Sequence, residues 1–401
     1  MPISKKITEQ ISRASWIRRM FEEGLALKKQ VGEANVFDFS LGNPILEPPP
    51  EFFEVLETVA TDHTPGLHRY MTNAGFWDVR QAVADRHALE SGLPFTANHV
   101  IMTVGAAGAI NTILKAILDD GDEVILLAPF FAEYWFYVDN HGGVPRIVQT
   151  DSNFDPDAQG IAAAIGPKTR AVVMNTPNNP TGRVYSHSTI EALARTLEAK
   201  QKEIGHPIYL ICDEPYRTIV YDDTDVPVVP MYYRNTIVCT SHSKDLGLPG
   251  ERIGHIAVSP EADDASQLVD GMCFCIRTLG FVNAPAIMQR VVAQILDCSV
   301  EVDFYRRNRD TLYTELRALG FEVQKPGGAF YLFPKTPTDD DVGFVRALQK
   351  HHILTVPGTG FGTPGYIRIC YSVERDVLER SLPVWAKAAR ELGLEPRARA
   401  R

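Results

Sequence analysis

From residue 98 onward, short apolar runs alternate with stretches whose apolar residues recur at helical spacing. The runs fall at 98–104, 123–128, 144–149, 170–175, 207–212, 236–240 and 253–258. Unbroken apolar runs bounded by Gly, Pro, Asn or Asp predict strands buried on both sides. Helical patterns at 107–118, 132–141, 156–165 and 187–203 lie between the earlier runs. This rhythm predicts an α/β fold with a mostly parallel seven-stranded sheet between helices. In such sheets ligands bind beyond the carboxyl ends of the strands.

The later chain reads differently. Helical patterns at 261–277, 284–298 and 301–319 come first. Short strand patterns at 321–324, 329–333, 353–356 and 366–371 follow, with helices expected at 339–351 and 373–392. The expected organisation is a large domain over 50–290 and a smaller α/β domain over 291–401. Residues 1–49 form an N-terminal helix and loop that pack with the small domain. The helix at 13–30 carries an apolar stripe of Trp16, Ile17, Met20, Phe21, Leu25 and Leu27, with Arg13, Arg18 and Arg19 on a solvated face. The stretch from Gly42-Asn43-Pro44 through Pro48-Pro49-Pro50 is too rich in proline for regular structure. The final Arg-Ala-Arg-Ala-Arg reads as a frayed end.

Composition narrows the function classes. The 401 residues leave room for two or three domains of roughly 100–200 residues each. With 45% hydrophobic and 22% charged residues the chain is globular rather than disordered. A net charge of −10, with no basic block, argues against a nucleic-acid partner. No run of about 18 apolar residues occurs, so no membrane-spanning helix is expected. The six cysteines lack CxxC spacing, which signals neither a zinc site nor a disulfide framework. Cys273 and Cys275 read as small apolar fillers, and a reduced cytoplasm is the expected compartment. The histidines show no metal-ligand spacing, so no metal is expected.

Four places at strand ends concentrate unusual residues. Asn175-Thr176-Pro177-Asn178-Asn179-Pro180-Thr181-Gly182 combines a fixed backbone with short polar arms. Asp213-Glu214-Pro215-Tyr216 ends a buried strand with a carboxylate. Such a group needs a partner, for which a protonated ring nitrogen or a structural arginine would serve. Ser241-His242-Ser243-Lys244, with Arg252 eight residues on, brings hydroxyls, a lysine and a guanidinium to one strand end. A lysine withdrawn from water acts as nucleophile or base, and the other groups suit a phosphate. His242 reads as a spacer between the serines. Val104-Gly105-Ala106-Ala107-Gly108-Ala109 lets a helix N-terminus approach an anion.

Taken in this order, the four places resemble the fold-type I pyridoxal-phosphate (PLP) enzymes, specifically the class I/II aminotransferases of the aspartate aminotransferase kind. The resemblance runs from Leu41-Gly42-Asn43-Pro44 to Arg368 and implies a PLP-dependent aminotransferase acting on an L-amino acid and a 2-oxo acid. It implies that Lys244 forms the Schiff base with PLP and then moves the substrate proton. Asp213 pairs with the pyridine nitrogen, and Tyr216 and Asn179 with the phenolic oxygen. Ser241, Ser243, Arg252 and the N–H groups of Ala106 and Ala107 hold the phosphate, and Phe131 stacks on the ring. Arg368 clamps the substrate carboxylate, with Gly42 and Asn179 beside it. Tyr70 reaches the phosphate of a second subunit, which implies a homodimer.

The departures matter. Ala106-Ala107 stand where many relatives carry a hydroxyl or a lysine, and Thr278 stands near the place of an arginine that reads a distal carboxylate, with Arg277 one position away. The same fold also supports elimination, replacement or cyclisation, because each begins from the same carbanion. The Ser241-to-Lys244 spacing also satisfies the S-x-x-K of penicillin-recognising enzymes, but their Ser-Asp-Asn and Lys-Thr-Gly triplets are missing. A PLP-binding regulatory module would need a DNA-binding segment, and no basic block provides one. Gly358-Thr359-Gly360-Phe361-Gly362 precedes a strand pattern rather than a helix, so a dinucleotide loop is not expected; the resemblance implies that it is a glycine-rich loop bordering the substrate pocket.

Overall fold

All seven apolar runs form strands of one sheet: β1 (Val100–Thr103), β2 (Glu123–Ala128), β3 (Val144–Gln149), β4 (Thr169–Asn175), β5 (Tyr209–Asp213), β6 (Thr236–Ser241) and β7 (Gly254–Val258). Their order across the sheet is β1-β7-β6-β5-β4-β2-β3. β7 is antiparallel to both of its neighbours, and the other pairings are parallel. The structure, a computed structural model, describes residues 3–396, and the side chains of these except residues 12–21. The expected stripe of Trp16, Ile17, Met20 and Phe21, the basic face of Arg13, Arg18 and Arg19, and the terminal Arg-Ala-Arg-Ala-Arg lie outside the described residues.

Successive strand residues point to opposite faces of the sheet. Ile125 and Leu127 of β2 join one apolar core, while Val124, Leu126 and Ala128 join the other. In β5, Leu210 and Cys212 face the first core and Ile211 the second. Helices cover both faces, so the inner strands stay apolar without alternation; the edge strand β3 departs from the expected burial, with Val144, Arg146, Ile147 and Gln149 exposed and only Val148 buried.

The helices Gly105–Ile117, Glu133–Asn140, Ala158–Ala164 and His187–Ile204 form where the periodicity predicts them. Two further helices, Pro50–Ala60 and Trp77–Ser91, escaped the sequence reading. Pro50 closes the proline-rich stretch yet begins a helix, because the first helical position has no N–H bond to lose. Trp77–Ser91 hides Arg80 on its buried face, where Nε donates to the carbonyl of Val100 at 2.8 Å, and this breaks the apolar stripe. Two other expectations need correction. The helix expected at 284–298 spans only Ala286–Val292. Residues 321–324 form no strand but one bridge, from Glu322 to Lys335, since Pro326 and Pro334 remove ladder donors on either side.

Near the C-terminal end, Val356–Pro357, Ile367–Cys370 and Tyr331–Leu332 form a small antiparallel sheet. The two-residue strand Phe37–Asp38 pairs in parallel with Ile353–Leu354. A third core of Phe39, Tyr305, Phe321, Tyr331, Tyr371 and Trp385 fills the space behind it, and Tyr216 joins that core from beyond the end of β5. The long first helix, Lys5–Val31, is tied to this region by Lys28, whose Nζ lies 2.8 Å from Asp38.

Gly254 shows how tightly the strand ends are drawn together. It opens β7 between Thr103 of β1 and Ser241 of β6. A Cβ there would run into the carbonyl of Thr240 and lie 3.0 Å from Ser241 Cα. Backbone cannot yield as a side chain can, so Gly254→Ala is expected to cost about 1–3 kcal/mol. The urea midpoint should fall; an unchanged midpoint would contradict this close approach.

Candidate active site

The carboxyl ends of β4, β5 and β6 deliver Asn175, Asp213 and Ser241 to one cavity of about 330 Å³. The N-terminus of helix Gly105–Ile117 and the turn after β6 close one side; Tyr331 and Arg368 of the small sheet close the other. Of the residues singled out in the sequence, Gly42, Ala106, Ala107, Phe131, Asn179, Asp213, Tyr216, Ser241, Ser243, Lys244, Arg252 and Arg368 all line it. Tyr70 does not: it stands 89% exposed on the surface. Arg277 is also exposed and lies over the ring of Phe274.

Asp213 is buried at the end of β5. Its carboxylate accepts a hydrogen bond from the hydroxyl of Tyr134, and Asn175 Nδ2 donates to its backbone carbonyl at 2.8 Å. Burial pushes its pKa up to about 7, against the pull of the Tyr134 hydroxyl and with the help of the neighbouring Glu214. No cation is among the causes of that shift. Lys244 lines the same cavity. Its Nζ donates to the carbonyl of Gly42 at 2.7 Å and lies 5.5 Å from the centre of the Phe330 ring. Desolvation, helped by the charges of Arg368 and Arg252, pulls its pKa down to about 8.

Arg252 stands at the rim, with Nη1 donating to the carbonyl of Pro249 at 2.9 Å. Its Nη2 lies 2.8 Å from where a Cβ of Gly105 would be, and Gly105 has φ 78°, so a side chain is excluded there on both counts. The helix that Gly105 begins has no side-chain cap, which leaves its first N–H groups for an anion. Arg368 lies between two aromatic rings, 4.9 Å from the centre of Tyr331 and 4.8 Å from that of Phe361. Its Nη1 donates to Asn179 Oδ1 at 3.1 Å and its Nη2 to the Ser40 carbonyl at 2.7 Å, while its buried Nε has no partner among the described residues.

Some of these contacts were not read from the sequence. Tyr134 lies one helical turn after Phe131 and meets its ring edge-on at 5.6 Å; only its place after the end of β2 hinted at the site. Tyr331, whose hydroxyl lies 2.7 Å from that of Tyr216, gave no signal, because it reads as one more apolar strand residue. The glycine-rich loop is anchored by Thr359, whose N–H donates to Asp341 at 2.6 Å, and it borders the site through Phe361. The described residues contain no group of His, Cys, Asp and Glu able to hold a metal ion. Among them, no helix is long and apolar enough to cross a membrane.

The family model for class I and II aminotransferases matches residues 34–382. The chain belongs to this family. It is 32% identical over 334 residues to an aspartate/prephenate aminotransferase of Thermus thermophilus, covering 80% of this chain and 83% of that one. A probable aspartate aminotransferase of Methanocaldococcus jannaschii is 28% identical over 362 residues, 88% of this chain and 92% of that protein. A crystal structure of an aminotransferase from Eubacterium rectale superposes with a TM-score of 0.94 at 39% identity, covering 98% of this chain and 100% of that one. The Thermus thermophilus aspartate aminotransferase with maleate superposes with a TM-score of 0.81 at 29% identity, over 93% of this chain and 96% of that one.

The protein is thus a PLP-dependent aminotransferase of fold type I, with an amino acid and a 2-oxo acid as substrates. These relatives are named for transamination, and none points to elimination, replacement or cyclisation. The residues present fit the cofactor. A buried carboxylate without a cation suits a protonated ring nitrogen, and the uncapped helix beside Arg252 suits a phosphate.

Asp213 gives a test in the cofactor-free protein. A folded-state pKa near 7 lies well above the unfolded value. The contribution is therefore fully present below the unfolded pKa of about 4 and is lost as pH rises through 7. Asp213→Asn removes this dependence, so between pH 5 and pH 8 the wild type should lose melting temperature relative to the variant. Parallel curves in differential scanning calorimetry would mean that the carboxylate is solvated.

Proposed function

We propose that the residues lining the cavity divide the work of transamination as follows. PLP supplies an aldehyde that takes up the amino group and a ring that accepts the electrons left when the Cα proton departs. Lys244 would hold the aldehyde carbon covalently until substrate displaces it. The single observation that carries the reading is this lysine: its pKa of about 8 leaves roughly a tenth of it as free amine at pH 7, in the same cavity as a buried carboxylate. An ordinary lysine, with a pKa near 10.4, would be almost wholly protonated. Once released, the same amine can accept the Cα proton and return it one atom away, as a general base and then acid.

Asp213 would keep the ring nitrogen protonated, and Tyr134 would hold the carboxylate in place. Tyr216 and Asn179 would donate to the phenolic oxygen. Ser241, Ser243, Arg252 and the N–H groups of Ala106 and Ala107 would bind the phosphate, with Phe131 against the ring. Arg368 would turn its fork to the substrate carboxylate beside Gly42 and Asn179. Charge-assisted, bidentate hydrogen bonds of this kind fix orientation as well as energy. Among the described residues, Lys244, Arg252 and Arg368 are the cations that line the cavity, and each has a role in that scheme. A distal carboxylate would therefore need a cation from beyond the described residues or from a second subunit, and the described lining favours an amino acid with an uncharged side chain.

A division into a large domain over 50–290 and a smaller one over 291–401, with 1–49 on the smaller, is supported in outline by the third core and by the Phe37–Asp38 pairing with Ile353–Leu354, but Val291, Val292 and Ile295 join the first core, so the apolar cores change near 300. The exposed Tyr70 supports a homodimer in which it reaches the other subunit's phosphate. Six free cysteines are in keeping with a reducing cytoplasm.

Lys244→Ala should abolish turnover while leaving the fold intact by circular dichroism; transamination at the wild-type rate would refute the assignment. A spectral screen of the yellow holoenzyme against amino acids, without a 2-oxo acid, should bleach with donors of uncharged side chain and spare aspartate. For the assembly, light scattering should give twice the 44.5 kDa chain mass, and Tyr70→Phe should weaken PLP retention. A monomeric mass at working concentrations would remove Tyr70 from the site.

A further inference from the structure

The turn that carries the cofactor residues has two faces. Ser241, Ser243 and Lys244 line the front cavity, whereas Thr240, His242 and Asp245 line a second cavity of about 300 Å³ behind it. Asp213 and Glu214 divide in the same way. The back of this turn is polar and buried, with His242 and His255 both less than a tenth exposed.

His242 is fastened on several sides. Its Nδ1 donates to Asp245 Oδ2 at 2.9 Å, the carboxylate being able only to accept. Its backbone N–H donates to the carbonyl of Ile253 at 3.0 Å, and its carbonyl accepts from Leu248 at 3.1 Å. Its ring lies 6.1 Å from that of His255, whose Nε2 is 3.0 Å from Nε2 of His87 on helix Trp77–Ser91. Asp245 in turn caps the N–H of Leu246 at 2.8 Å, and its carbonyl accepts from Val300 at 2.8 Å. The clasp thus spans the two residues, Ser243 and Lys244, that lie between its ends.

We propose that His242 is a positioning residue of the transamination site, whose hydrogen bond to Asp245 fixes where Ser243 and Lys244 point. The inference rests on the reading of the front cavity as the PLP site. The ring touches neither cofactor nor substrate. Without the clasp the four-residue turn keeps its backbone bonds at Ile253 and Leu248 but loses the cross-link between its own ends. A displacement of about 1 Å at a reacting group is enough to cost on the order of a hundredfold in rate.

The test compares His242→Phe, which keeps a ring but removes the donor, with His242→Asn, which places an N–H near the position of Nδ1. PLP affinity is measured by equilibrium dialysis on the cofactor-free proteins, and kcat and KM on the reconstituted ones. In His242→Phe the PLP dissociation constant should rise and kcat fall by roughly tenfold to a hundredfold, with KM for the amino acid changed less than about twofold. His242→Asn should restore both to within about threefold. A folded His242→Phe with wild-type PLP affinity and kcat overturns the inference, as does a His242→Asn no better than His242→Phe. Should His242→Phe fail to fold, Asp245→Asn, which weakens the same bond from its other end, is judged by the same two readouts. A wild-type protein that takes up no PLP would sink the reading of the front cavity as well; wild-type uptake with an indifferent His242→Phe would sink this inference alone.

Discussion

A single chain of hydrogen bonds holds the two halves of the site in register. Asn175 Nδ2 donates to the carbonyl of Asp213, and Asn175 Oδ1 accepts from the N–H of Asn179 at 2.7 Å. Asn179 Oδ1 accepts from Arg368, and Arg368 donates onward to the carbonyl of Ser40. The chain starts at the end of β5, crosses the Asn-Pro loop and ends in the N-terminal segment. Every link is largely withdrawn from water, where a lost partner costs the full desolvation of the other. The place of the carboxylate at one end and the guanidinium at the other is therefore one constraint, not two. The parallel sheet makes it possible, because only adjacent parallel strands bring their carboxyl ends to one edge.

Electrostatics works locally in this molecule. The protein carries a formal charge of −10, yet its cavity gathers Lys244, Arg252 and Arg368 around one carboxylate. The cations act on one another: Arg368 and Arg252 both lower the pKa of Lys244. A group of positive charges thus does two things. It makes the cavity suited to anions, and it adds to desolvation, the larger cause, in lowering the pKa of Lys244. The carboxylate of Asp213 is set the other way, chiefly by burial, with Glu214 adding to the rise and the Tyr134 hydroxyl opposing it.

Much of this was legible from residues 98–258, where buried strands and covering helices announce themselves by period. The fold class, all seven strands and the four strand-end clusters follow from that pattern. Less was legible where polar and apolar roles overlap. Arg80 on a buried helix face concealed Trp77–Ser91, and Pro50 concealed the start of Pro50–Ala60. Tyr134 and Tyr331 were missed for a related reason. A tyrosine is an ordinary core residue in a sequence, and only the position of its hydroxyl makes it a hydrogen-bond partner of Asp213 or Tyr216.

The amino-acid sequence by itself determined the strand rhythm, the kinds of group at each strand end and, through their joint order, the family resemblance. These are local properties, carried by side-chain period and by motifs a few residues long. Tertiary structure alone decided which face each group serves. Ser241 and His242 are neighbours in the chain, yet one lines the front cavity and the other the space behind it. Arg368 meets Asn179 across 189 positions of sequence. Such pairings depend on how the sheet edge and the small sheet approach each other, a long-range packing relation that leaves no periodic trace in the chain.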